Sequence, residues 1–312
     1  MIARVLQAGG GTYRVRAGGR EFECSLRGRL KLDEGGSVAV GDRVEVEELE
    51  DGSCRITEVL PRRSALIRRA VARRKDQVMA ANVDQVAAVI SAARPEPDLY
   101  MLDRLLAVAE FDELDAFVVF NKTDELEAEV ADPLPPEIAA YGTIGYDVLP
   151  TSATGGLGIE TLRERLAGRV TVLAGASGVG KSSLLNALFP GLDLRVGDVG
   201  ERSGRGRHTT TSARLIPIDD DTFIADTPGI QHFVPAELEP ATLEYAFREF
   251  RPWLGGCRFA NCRHREEPGC AVLEAVESGD ILPRRHASYV TLLGEAETLE
   301  EQVRVSGGKD AG

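Results

Sequence analysis

The sequence predicts three architectures in series: an N-terminal all-β barrel, a central mostly parallel α/β sheet covered by helices, and a small, mostly helical C-terminal region. Three observations predict them. Up to about residue 60, short β-type segments follow one another with glycine punctuation. From about residue 80, apolar β-branched runs alternate with helical stretches. Beyond about residue 235, Cys257, Cys262, His264 and Cys270 crowd together among further helical stretches.

In the first region, TYRVRAG, REFECSL, DRVEVEEL and CRITEVL are the strand candidates. Tyr13 and Val15, like Val44 and Val46, alternate with polar neighbours, as one face of a half-buried strand does. About five such strands suit an OB-type barrel, here given residues 1–65. An SH3-like barrel would read much the same. Residues 61–75, PRRSALIRRAVARRK, carry Arg62, Arg63, Arg68, Arg69, Arg73, Arg74 and Lys75 without an acidic residue. Such a block either neutralises phosphates or is a solvated connection, and residues 66–80 are read as a basic linker.

The central region spans residues 81–234. Its strand candidates are VDQVAAVISAA, DAFVVF, YDVLPTSA, RVTVLAG, ARLIPI and TFIADTPG. Asp98 stands where it can cap a helix whose Leu102, Leu105, Leu106 and Ala109 share one face. Residues 159–166 and 182–188 also read as helices, and ADPLPPEIAAYGT as a proline-broken surface connection. Residues 235–302 form the third region, and the polar residues 303–312 read as a disordered tail.

Composition limits the class. Hydrophobic residues make up 43% and charged residues 28%, as in a soluble globular protein. No apolar run approaches the ~18 residues of a membrane span, and MIARVLQAGG lacks the apolar core of a signal peptide, so the expectation is a cytoplasmic protein with no membrane partner. The net charge of −13 argues against indiscriminate nucleic-acid binding. Cys24 and Cys54 lie alone in strand-like segments and read as buried thiols.

Four motifs carry the chemistry. Gly175-Ala176-Ser177-Gly178-Val179-Gly180-Lys181-Ser182, followed by Ser183, satisfies the GxxxxGK[ST] phosphate-loop pattern between a strand and a helix. Its glycines let backbone N–H groups face phosphates, and the helix N-terminus adds positive potential. Lys181 is placed to reach the β- and γ-phosphates, and the Ser182 hydroxyl to ligate Mg²⁺. Asp226-Thr227-Pro228-Gly229 ends a strand. Asp226 there suits Mg²⁺, directly or through water, and the Gly229 N–H suits the γ-phosphate. Asn121-Lys122-Thr123-Asp124 follows another strand; the Asp124 carboxylate can accept two hydrogen bonds from guanine, which adenine cannot offer. Asn121 can tie that loop to the phosphate loop, and the Lys122 stem can cover the base. Ser152 and Ala153 can place a backbone N–H at guanine O6. Alone, DxxG or NKxD is a weak signal; beside a phosphate loop each becomes specific.

The order is unusual. In an ordinary GTPase the phosphate loop leads, whereas here the base-reading motifs precede it, so the central region reads as a circularly permuted P-loop GTPase domain. Residues 200–214, GERSGRGRHTTTSAR, stand where a switch loop belongs. One of Thr209, Thr210 and Thr211 can supply a second hydroxyl to Mg²⁺, with Thr210 favoured. Ile230 follows Gly229 where Ras-type enzymes place a water-orienting glutamine. Gln231 from another offset, His208, or a partner must then do that work, and His208 is equally readable as a contact residue. Slow intrinsic hydrolysis is expected.

The three thiols and one imidazole of Cys257, Cys262, His264 and Cys270 suit a closed tetrahedral structural zinc site; free thiols or a disulfide are the alternatives.

Together, NKTD before GASGVGKS, then GRHTTT, DTPG with a following hydrophobic residue, and CRFANCRHREEPGC resemble the ribosome small subunit-dependent GTPase A family, over nearly the whole chain. The resemblance implies an OB domain, a permuted GTPase domain and a C-terminal zinc domain. It implies a late assembly factor that binds the small ribosomal subunit and its RNA and leaves on GTP hydrolysis to GDP. It also implies His208 as the catalytic histidine, acting with Lys181 and Thr210. A monomer is expected. The competing readings are a GTP-gated RNA-binding module with a non-ribosomal target and negligible hydrolysis, and a small-molecule kinase, against which the guanine-reading motif speaks.

Overall fold

The computed structural model describes residues 1–26, 37–50, 53–68, 77–126, 134–192, 213–226 and 239–308. The barrel comprises β1 (Ile2–Gly9), β2 (Thr12–Ala17), β3 (Arg20–Leu26), β4 (Arg43–Glu48) and β5 (Cys54–Val59). They hydrogen-bond in the order β1-β2-β3-β5-β4, and β1 also pairs with β4, so the sheet closes on itself. β3 and β5 run parallel, and the other barrel pairs antiparallel. This is the OB-type closure, and it decides against the SH3-like alternative. Alternate residues fill the interior: Val5, Val15, Val44 and Ile56 are fully buried, as the strand period of two requires.

β6 (Ala65–Arg68) and β7 (Gln77–Ala81) pair antiparallel as a separate two-stranded sheet. The sequence reading gave this stretch to a linker. Leu66, Met79 and Ala80 are buried, so apolar side chains between the arginines give these residues a core to join. Of the basic block, residues 69–75 lie outside the described residues, while Arg62 pairs with the buried Asp42 at 2.7 Å.

The central strands are β8 (Gln85–Ser91), β9 (Asp115–Asn121), β10 (Val148–Thr151), β11 (Val170–Ala174), β12 (Arg214–Pro217) and β13 (Phe223–Asp226). Their spatial order is β10-β9-β8-β11-β13-β12, and all neighbours are parallel except β12–β13. Every residue of β8 is buried. A strand covered on both faces is apolar along its centre, which explains the run VAAVI between Gln85 and Ser91. Val86, Ala88 and Ile90 enter the core under α1 (Leu99–Phe111), whereas Ala87 and Val89 enter the opposite core with α3 (Ile159–Leu166) and α4 (Lys181–Leu188). Asp98 does cap α1, accepting the Met101 N–H at 2.9 Å.

Residues 136–144 correct the sequence reading of a surface connection: α2 (Pro136–Ile144) is a helix. Pro136 begins it, where the missing N–H costs nothing, and Ile138 and Tyr141 are buried. β1 meets β12 through the pair Gln7↔Arg214, so barrel and central strands form one 11-stranded sheet.

Among its described residues, the C-terminal region holds two 3₁₀ segments (Leu243–Ala246 and Arg248–Trp253), α5 (Ala271–Ser278) and α6 (Pro283–Gly308). α6 continues through part of the stretch that the sequence reading gave to a disordered tail. Phe247, Phe250 and Tyr289 pack tilted and edge-to-face in its core, with centroids 4.9 to 5.4 Å apart. Among the described residues, no helix is long and apolar enough to cross a membrane.

Candidate nucleotide site and metal centre

β8, β9, β10, β11 and β13 run in one direction, so their carboxyl ends meet at one edge. All four motifs leave from that edge: Asn121 ends β9, Thr151 ends β10, Gly175 follows β11, and Asp226 ends β13. This is where open α/β sheets bind ligands, and the order of the motifs along the chain does not affect it.

In the phosphate loop, Gly175 has φ +151° and Gly180 φ +98°. An added Cβ would strike the Val89 carbonyl at the first and the Asn121 amide at the second. Gly180 caps α4, whose first residues are Lys181 and Ser182, both buried. Lys181 donates to the carbonyls of Gly175 and Ala176 at 2.9 and 2.8 Å, folding its ammonium over the loop.

The base-reading loops are knit to it. Asn121 donates from Nδ2 to the Val179 carbonyl at 2.9 Å. Thr151 Oγ1 donates to Asn121 Oδ1 at 3.2 Å, and Thr123 Oγ1 to the Thr151 carbonyl at 3.1 Å. Lys122 adopts φ +65° and its ammonium meets the Arg94 carbonyl. The exposed Asp124 accepts from Thr154 Oγ1 at 3.0 Å. Hydrogen bonds from Ser152 first, outweighing slight burial, and then from Thr154 hold its carboxyl below the ordinary value. Gly155 N–H donates to Ser152 Oγ at 2.7 Å, fixing the turn that carries Ala153.

These loops border a cleft of 510 Å³ lined by Asn121, Lys122, Ala153, Gly180 and Ser183, and also by Glu125, Thr154, Asn186 and Ala187. The last four were not singled out from the sequence. For Asn186 the α4 periodicity was the available signal, since it lies one turn beyond Ser182–Ser183. Asp226 is buried and paired with Arg214 at 2.9 Å. Ser182 and Asp226 offer the hard oxygen donors that Mg²⁺ takes. His208, Thr209, Thr210, Thr211, Gly229, Ile230 and Gln231 lie outside the described residues.

The second centre lies in the C-terminal region. One ligand atom from each of Cys257, Cys262, His264 and Cys270 falls within 4.8 Å of the others, and the set could hold a metal ion. Tetrahedral coordination with bonds of about 2.3 Å to sulfur and about 2.0 Å to nitrogen gives edges of about 3.8 Å between sulfurs and about 3.5 Å from sulfur to nitrogen. The cluster fits: Cys257 Sγ lies 3.8 Å from Cys270 Sγ, and His264 Nδ1 lies 3.5 and 3.3 Å from those two sulfurs. His264 takes φ +56° to turn Nδ1 inward, and its Nε2 meets Glu244 at 3.1 Å. A carboxylate on the outer nitrogen fixes the tautomer that leaves Nδ1 as the ligand atom. Glu244 lies 20 positions from His264, and no local spacing points to it. The neighbouring loop is tied by Glu267, whose carboxylate accepts the N–H groups of Arg263, Arg265 and Glu266 at 2.7 to 3.1 Å.

The C-terminal region is clasped to the central one. Arg285 is 1% exposed and donates to Asp103 of α1 at 2.8 Å and to Glu249 at 2.5 and 3.0 Å. Arg284 and Tyr141 share the same Asp103 at 2.6 and 2.5 Å.

Comparison with known proteins agrees with this geometry. Residues 59–235 match the model of the RsgA GTPase family, and residues 3–56 that of the RsgA N-terminal domain. The chain is 46% identical over 297 residues to the small ribosomal subunit biogenesis GTPase RsgA of Gemmatimonas aurantiaca, covering 93% of this chain and 96% of that protein. It is 45% identical over 296 residues to the protein of the same name from Moorella thermoacetica, covering 95% and 97%. The crystal structure of YjeQ from Thermotoga maritima superposes with a TM-score of 0.75 at 35% identity, covering 95% of this chain and 98% of that one. The circularly permuted GTPase YloQ gives 0.72 at 28% identity, covering 95% of each. With its motifs permuted in the chain and reunited at one sheet edge, this protein belongs to the RsgA GTPase family.

Proposed function

We propose that this protein hydrolyses GTP as a late assembly factor of the small ribosomal subunit, binding ribosomal RNA and leaving on hydrolysis. The observation that carries the nucleotide half is the Asn121–Val179 hydrogen bond, which joins a guanine-reading loop to a phosphate loop around one cleft. The ribosomal half is supported by the relatives, which are named for small-subunit biogenesis. In this reading, residues 1–65 are the RNA-binding barrel, 81–234 the GTPase domain and 235–302 the zinc domain, working as a cytoplasmic monomer.

Asp124 accepts guanine N1–H and the 2-amino group, while the Lys122 stem covers the base and Ala153 offers its N–H to O6. Residues 175–183 wrap the phosphates; Lys181 exchanges its two loop carbonyls for phosphate oxygens. Ser182, Asp226 and Thr210 would hold Mg²⁺, which neutralises charge developing on the phosphates. Gly229 donates its N–H to the γ-phosphate, and His208 orients the attacking water. With Ile230 unable to orient that water, the chain alone turns over slowly and depends on the small subunit for stimulation. The Cys257, Cys262, His264 and Cys270 cluster would hold one structural zinc with no open position.

The test is GTP turnover with and without purified small subunits, with large subunits as control. Stimulation by small subunits alone is expected. GTP-dependent binding to another RNA without turnover would favour the nucleotide-gated module instead.

A further inference from the structure

Arg214 lies in the centre of a row that crosses three strands: Gln7 of β1, Arg214 of β12 and Asp226 of β13 are register partners. Its Nε donates to Asp226 Oδ2 at 2.9 Å. The carboxylate side chain is 6% exposed, but the arginine is 39% exposed. The backbone of Arg214 is paired on both sides, with Gln7 and with Asp226. The barrel grips the β12–β13 hairpin at Gln7, at the Arg16–Asp220 ion pair of 3.2 Å, and where the Arg4 guanidinium lies 4.9 Å from the Phe223 ring centroid. The Arg214 side chain, open to solvent on one side, is what can swing away.

We infer that Arg214 is a positioning residue that occupies the Asp226 carboxylate and competes for it with the divalent cation that accompanies the nucleotide. The inference rests on the nucleotide reading above. A guanidinium and a cation draw on the same buried negative charge, and the exposed arginine can return to water while the cation keeps that charge compensated. The pair therefore keeps Asp226 oriented before the nucleotide arrives and raises the cation concentration needed to complete the site.

The experiment titrates Mg²⁺ into the full-length chain with a fluorescent GDP, following anisotropy, for wild type, Arg214→Gln and Arg214→Lys. Arg214→Gln should lower the half-saturating Mg²⁺ about 2- to 5-fold, with nucleotide affinity in chelator unchanged. Arg214→Lys should fall between it and wild type. A purely structural role would weaken nucleotide binding equally with and without Mg²⁺. That result, or an unchanged or raised Mg²⁺ midpoint in a folded Arg214→Gln, overturns the inference while leaving the nucleotide site standing. Failure of the wild type to bind guanine nucleotide at all overturns the reading of the site, and this inference with it.

Discussion

Asn121 donates from Nδ2 to the carbonyl of Val179, 2.9 Å away in space and 58 positions away in sequence. Asn121 belongs to the motif that comes first along the chain and Val179 to the one that comes third, so this bond restores the neighbourhood that the permuted order separates. Gly180 is part of the same contact, because a Cβ there would strike the Asn121 amide.

Gly180→Ala is therefore expected to damage both loops. It adds left-handed strain at φ +98° and forces Asn121 away, leaving the buried Val179 carbonyl without that donor. A loss of about 2 to 4 kcal/mol in nucleotide binding, on the order of 100-fold in Kd, should appear in isothermal titration. Asn121→Ala, which removes the donor without strain, should cost about 1 to 3 kcal/mol. Equal affinity for all three proteins would show that the two loops do not depend on each other.

Asp124 carries the discrimination. Asp124→Asn replaces an acceptor by a donor where guanine presents two donors, so GTP affinity should fall by ~100-fold or more while XTP, with a carbonyl at position 2, gains. The hydrogen bonds from Ser152 and Thr154 hold the Asp124 carboxyl below its ordinary value, so the ionised form persists as pH falls to that value and is lost only beneath it. The Asp124-dependent part of the affinity, read as the ratio of wild-type to Asp124→Asn Kd for GTP, should then stay flat from about pH 7.5 to about pH 5, since the ligand's own phosphate titration cancels in the ratio. A competition assay with XTP and a pH series of Kd values test both statements.

Each contiguous motif was legible in the sequence, because phosphate loops, base-reading loops and ligand clusters need fixed residue types at fixed spacing. The barrel and parallel strands were legible too, since periods of two and unbroken apolar runs report how many faces are buried. What stayed hidden were pairings with no local spacing. Arg285 and Asp103 are 182 positions apart, and Glu244 reaches His264 from outside its motif. α2 was missed because its prolines read as breakers, although Pro136 begins the helix. The β6–β7 pairing was missed because arginines masked Leu66.

Arg285 is the centre of the clasp between the C-terminal region and α1. With Arg285 replaced by Met, Asp103 and Glu249 remain buried with one fewer cation, although Arg284 still reaches Asp103. Breaking such a pair from one side costs about 3 to 5 kcal/mol. Chemical denaturation should show that loss, or a separate early transition of the C-terminal region. Combining Arg285→Met with Asp103→Asn should cost less than the sum of the two, because the second change removes the uncompensated charge.

If the Cys257, Cys262, His264 and Cys270 cluster holds zinc, Cys262→Ser should abolish its binding. Without a cation, residues 257–270 keep only hydrogen bonds and packing: the Glu267 cage, Arg265–Glu297, His286 Nε2 on the His264 carbonyl and Tyr289 Oη on the Arg263 carbonyl. Burial alone would raise the Glu267 carboxyl, but the N–H groups of Arg263, Glu267, Arg265 and Glu266 outweigh it and hold the group down to about 2. A depressed carboxylate contributes stability that is fully present above its ordinary value of about 4.3 and is lost as pH falls toward the folded value. Discounted for partial exposure, the contribution is about 1 to 2 kcal/mol. Glu267→Gln should thus melt earlier than wild type at pH 7, and the gap should close as the pH falls from about 4 toward 2. Elemental analysis should find about one zinc per chain in wild type and in Glu267→Gln, and none in Cys262→Ser. Hydrogen exchange of residues 257–270 should quicken greatly in the cysteine variant and only modestly in the glutamate variant, because one loses the cation and the other only the loop that frames it.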